Sequence, residues 1–191
     1  DLVVRPVPGY GNNTLGIGDV NAVPLLRKTT ALRGFSRLFS KDVTASMGRQ
    51  LLRRDPIRSW LPAIQQSGEG ILITLDSEKL NKWAAQIGVE QRIQLIQDKL
   101  LKNNRTIPGG QAEAKFVLLH TFAHVLIQEL VIECGYTAAA LAERIYSSGD
   151  KNGILIYTAS ASADGTMGGL VEMSSPENLL KAISNAVTNA R

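Results

Sequence analysis

His120 and His124 stand four residues apart in FVLLHTFAHVLIQELVIEC, residues 116–134. On a helix that spacing projects two imidazoles from one face, where they can share a metal ion or a phosphate. The pattern is HxxxH without the glutamate of HExxH: Thr121 stands where the general base would be, which removes a zincin-type metalloprotease from consideration. Cys134, the one cysteine, lies ten residues past His124, about 15 Å along a straight helix and out of reach of the pair. Its apolar setting disfavours a thiolate, so it reads as a small buried residue rather than a nucleophile. The alternative for the histidines is a pair bonded to polar groups inside an apolar core. A second candidate is SASADGTMGG, residues 160–169, where glycines permit close backbone approach and Asp164 could orient an amide, bind a cation or accept a proton. It is neither a Walker A motif nor GxGxxG before a helix, and a tight structural turn is its plainer reading. His120, His124 and Asp164 together define one enzymatic reading, a metal-dependent phosphodiesterase. No catalytic constellation is complete, so a protein without catalytic residues is the first expectation.

These residues need elements to hold them. Residues 113–134 are apolar on nearly every side, which predicts a central helix covered by other elements and stopped by Gly135. A β-rich run bounded by Gly and Asp, 68–76 (GEGILITLD), and a run without polar alternation, 153–159 (GILIYTA), read as buried strands. A helix capped by Ser77, with Leu80, Trp83, Ala84 and Ile87 as its apolar stripe, precedes a second amphipathic helix over 89–103. Residues 137–147 read as a short helix, 170–173 as a short strand, and Ser175-Pro176 opens the last helix. Trp60 and Trp83 read as core anchors. The order predicts an α/β fold: a central buried helix packed on a small mixed sheet, with flanking helices. Three regions follow: 1–24, rich in Gly, Asn and Pro, as an extended linker or docking segment; 25–110 as a basic part with a strand and helices; and 111–191 as an α/β core.

At 191 residues with 44% apolar and 20% charged residues, the chain is long and apolar enough to bury a core. One cysteine makes no internal disulfide and no four-cysteine zinc site. No apolar run reaches the roughly 18 residues of a membrane span. No signal peptide is visible and the chain begins without a methionine, as a processed protein or a fragment does. A cytoplasmic location without membrane contact is therefore expected. The net charge of +4 is uneven. Residues 27–58 carry nine basic residues against Asp42 and Asp55, whereas 111–191 carry five basic and eight acidic residues. Arg27, Lys28, Arg33, Arg37, Arg49, Arg53, Arg54 and Arg58 are thus candidates for phosphate contacts with DNA, the alternative being a solvated basic face.

Beyond these patterns, LLHTFAHVLIQELVIECGYTAAALAERIYS followed by GILIYTASASADGTMGGL resembles the C-terminal domain of unknown function of the DrmB family, components of the DISARM anti-phage system. Related domains occur on MrfA-type DNA-repair helicases and other defence-associated helicases. LRGFSRLF at 32–39 and WLPAIQQSGEGILITLD at 60–76 support the DrmB likeness, so it runs in order over most of residues 25–190. The resemblance carries onto His120, His124, Gly135, Tyr136, Arg144, Tyr157, Asp164, Gly165, Gly168 and Gly169, and attaches no catalytic role to them. It implies a zinc-binding cysteine segment beyond Arg191, with no zinc ligand in this chain. It also implies that ATP hydrolysis belongs to a partner helicase resembling DrmA, which the protein would help to engage foreign DNA. A purely structural interaction platform is the remaining alternative.

Overall fold

Ile71 and Ile73 on one strand sit beside Ile156 and Ile154 on the next, and all four are fully buried. The computed structural model that shows this describes residues 2–11, 13–32, 60–105, 113–158 and 168–190. Among these residues five strands, β1 (Leu2–Val7), β2 (Ile17–Ala31), β3 (Ala63–Leu75), β4 (Leu141–Ser148) and β5 (Lys151–Thr158), form one sheet in the order β1-β2-β3-β5-β4. Every neighbouring pair is antiparallel, where a mixed sheet was expected. The helices are α1 (Ser77–Ala84), α2 (Ile87–Lys102), α3 (Ala114–Cys134), α4 (Gly169–Met173) and α5 (Pro176–Asn189). The predicted combination of helices on a small sheet holds.

Helix α3 lays Leu119, Ala123, Leu126 and Leu130, all fully buried, over the isoleucines, and α5 adds Leu179, Ala182 and Ile183. Each large apolar side chain among them contributes about 1.5–3 kcal/mol by leaving water. By length and composition α3 could cross a membrane, yet it is used as the core helix of this sheet. It is not covered on all sides as expected: Ile132 is 75% exposed, and both histidines face outward. Gly135 ends α3 in the left-handed conformation, φ 69°, as predicted.

Five local expectations are corrected. Residues 1–24 are no linker: they hold β1 and the first half of β2. Their prolines suggested irregular chain, but Pro6 lies in an edge strand and Pro24 at a register shift between Val23 and Leu26, two places where a missing N–H is tolerated. Residues 141–148 form β4 rather than a helix, because Leu141, Glu143 and Ile145 alternate with Ala142, Arg144 and Tyr146, and the Gly149-Asp150 turn folds the strand onto β5. Residues 170–173 belong to α4, not to a strand. Asp76, not Ser77, caps α1 by accepting from the N–H groups of Glu78 and Lys79. Trp60 is 63% exposed rather than a core anchor.

Candidate functional site

The helical spacing of His120 and His124 does what it predicts, bringing their Nε2 atoms to 3.0 Å. Both side chains are roughly half exposed, so the reading of histidines bonded inside the core is overturned. Phe116, one turn earlier, packs its ring 5.6 Å from that of His120. The third member comes from the sheet. Glu143 on β4 points toward α3, with Oε1 3.5 Å from Nε2 of His120 and 3.6 Å from Nε2 of His124. The three ligand atoms all lie within 4.8 Å of one another. Sequence reading missed Glu143 because residues 137–147 read as a helix; the alternation in LAERIYSS was the signal available. Asp164, which the phosphodiesterase reading joins to the two histidines, and the family-motif Gly165 lie outside the described residues.

A second constellation surrounds Glu69, which is 1% exposed. Its Oε1 accepts from the Tyr136 hydroxyl at 2.8 Å and from the N–H of Leu170 at 3.0 Å, and its Oε2 from the N–H of Gly168 at 2.7 Å. Such charge-assisted bonds are the strong ones in a protein interior. Gly168 offers its N–H from φ 120°, a conformation an L-residue rarely adopts. Gly169 lies against Tyr136, where an added Cβ would come 3.0 Å from the hydroxyl oxygen. The glycine pair and Tyr136 therefore serve a buried anchor that fastens the start of α4 to β3. Burial, helped by Glu69, pushes the Tyr136 hydroxyl well above its ordinary range, so it remains a donor. Cys134 points its thiol at the carbonyl of Gly169, 3.8 Å away, and burial pushes its pKa up to about 11. As expected, it does not join the histidines.

The basic candidates divide. Arg27 and Lys28 lie on the outer part of β2, in register with Ser67 and Gln66 of β3, where the paired strands run out exposed to Ala31 and Ala63. Arg33, Arg37, Arg49, Arg53, Arg54 and Arg58 lie outside the described residues. Lys28 stands 5.6 Å over the ring of Tyr157, and Arg144 stands 5.7 Å from the ring of Tyr146. By strand alternation Arg144, Tyr146 and Tyr157 project from the sheet face opposite α3. The family-motif residues thus split between the two faces: His120, His124, Gly135, Tyr136, Gly168 and Gly169 on the helix side, Arg144 and Tyr157 on the other.

Among the described residues the class defined is an antiparallel five-stranded sheet carrying helices on one face, a two-histidine, one-glutamate cluster on that face, and basic and aromatic residues on the other. No family model matches the chain. The chain is similar to the DISARM protein DrmB of Bacillus paralicheniformis, 32% identical over 171 residues, which cover 86% of this chain and 30% of that protein. The DrmB likeness read from the sequence is thereby borne out, and the chain spans less than a third of that relative's length.

Proposed function

We propose that this chain is a non-catalytic, DNA-engaging part of a bacterial anti-phage defence complex in the cytoplasm, working beside a helicase subunit. The observation that carries the reading is the likeness to a DISARM protein over most of the chain. The charge distribution supports it: lysine and arginine are concentrated in residues 27–58, whereas residues 111–191 carry more acidic than basic groups. Phosphate contacts of this kind supply affinity through counterion release and carry no sequence information. Lys28 and Arg144 paired with tyrosine rings add a place where a base or sugar could stack. A partner helicase would supply ATP hydrolysis, and the family's zinc would sit in a cysteine segment other than these residues. The chain itself offers only Cys134, a thiol held protonated by burial, which does not fit such a site.

The test is binding to labelled single-stranded and duplex DNA across a salt series, with the chain alone and with the helicase. Replacing both Arg27 and Lys28 by Ala should weaken binding to all sequences alike and reduce the salt slope by about one for each phosphate that is no longer neutralised. Unchanged affinity in this variant and in a second one lacking Arg33, Arg37, Arg53 and Arg54 would refute DNA contact by the basic segment. Loss of helicase binding with unchanged DNA binding would make the segment an assembly surface instead.

A further inference from the structure

Two imidazole nitrogens 3.0 Å apart cannot both present lone pairs to each other; a proton or a cation must lie between them. A shared proton would account for the histidines alone. It leaves Glu143 as a nearby counter-charge only, because 3.5 and 3.6 Å are within ion-pair reach but exceed the roughly 2.7–3.2 Å of an N–H···O bond. A metal ion accounts for all three. The point equidistant from the two nitrogens and the carboxylate oxygen lies about 2.0 Å from each, the length of Zn–N and Zn–O bonds. The scaffold also favours preorganisation, since the histidines sit one turn apart on the core helix α3 and Glu143 on a strand paired to β5 beneath it.

We propose that His120, His124 and Glu143 form a binding site for one divalent transition-metal ion, zinc foremost, with its remaining coordination directed to solvent. Nitrogen and carboxylate donors without thiolate suit zinc, cobalt or nickel, and they disfavour calcium or magnesium, which take oxygen ligands. Three protein ligands with an open side is the arrangement of a site that holds water or an incoming oxygen ligand in its last position, rather than a closed structural site. The half-exposed histidines place that open side at the surface. This site is separate from the cysteine segment expected elsewhere in the family, and it does not depend on DNA binding.

The chain, stripped of metal by chelator and dialysed, is titrated with Co²⁺ followed by visible absorption and with Zn²⁺ followed by calorimetry. One equivalent should bind, with a Co²⁺ spectrum of nitrogen and oxygen ligation displaced by Zn²⁺. His124→Ala and Glu143→Gln should each weaken binding by more than the roughly 10–100-fold that loss of an outer-sphere partner causes. Glu143→Gln preserves side-chain shape, and circular dichroism checks that both variants keep the native fold. Cys134→Ser should leave the spectrum unchanged. Absence of stoichiometric binding, binding indifferent to both ligand variants, or a thiolate charge-transfer band that disappears in Cys134→Ser would each overturn the assignment.

Discussion

A buried carboxylate that accepts three hydrogen bonds, as Glu69 does, holds more of this fold than its single side chain suggests. Replacing it with Ala leaves the N–H groups of Gly168 and Leu170 and the Tyr136 hydroxyl without their acceptor, at about 1–3 kcal/mol for each group that stays dry. Glu69→Gln keeps the shape but gives up the charge and turns an amide NH₂ toward donors; about 2–3 kcal/mol of stability should be lost in urea unfolding. Tyr136→Phe removes only one of the three bonds and should lose about 1 kcal/mol. A Glu69→Gln variant as stable as the parent would show that the anchor is not what secures α4. Cys134 offers a second test nearby. Its thiol pKa is pushed up to about 11, chiefly by burial and then by Glu69 and Glu133. In the folded chain the thiol should therefore alkylate slowly at neutral pH and speed up only as pH climbs toward 11. The raised folded value also means that the folded state keeps the proton better than the unfolded state. This contribution to stability is complete below the unfolded thiol's pKa and disappears as pH rises through about 11. Iodoacetamide kinetics against pH, native and in urea, checks both; native and unfolded rates that coincide at neutral pH would contradict the burial.

At the scale of elements, period decided what the sequence could reveal. Strands β3 and β5 were readable because GILITL and GILIYT are apolar on both faces and bounded by glycine. Helices α2, α3 and α5 were readable from their length and stops. Strand β4 was not, since TAAALAERIY has strong helix formers and its alternation of two covers only eight residues. That one misreading hid Glu143, the sheet's contribution to the histidine cluster, although the histidine pair itself was plain from its spacing. Strands β1 and β2 were hidden by prolines whose harmlessness depends on which strand lies at an edge and where the register shifts, facts that exist only once the sheet is assembled. Glu69 escaped for a related reason. Nothing local to GEG says that the carboxylate turns inward to meet backbone groups 99 and 101 residues away.

The whole molecule joins what the sequence divided near residue 110. Strand β5, from the later part, is zipped on one side to β4 and on the other to β3 from the earlier part, with Gly70–Thr74 in register with Gly153–Tyr157. The core mixes both parts as well: Val20, Ile71 and Ile73 pack with Leu119, Leu126, Ile154, Ile156 and Leu170. A fragment of residues 111–191 would keep α3, α4, α5 and the β4–β5 hairpin, but it would lose the ladder along β3, the apolar partners of α3 on β2 and β3, and the Glu69 anchor. A two-stranded hairpin with one helix face uncovered has too little buried surface to offset the entropy of ordering its chain. The fragment should therefore be unfolded or aggregated, whereas the full chain should lose helix and tertiary signals in one coincident urea transition. Circular dichroism and a proton–nitrogen correlation spectrum of the fragment decide the matter. A dispersed spectrum from residues 111–191 alone would mean that the helix-bearing part is self-sufficient and that β1–β3 is an addition to it. Failure of the fragment, rescued by adding residues 1–110 as a separate chain, would place the folding unit in the shared sheet. The histidine–glutamate cluster, though built wholly from residues after 110, would then form only when the strands before 110 are present to support it.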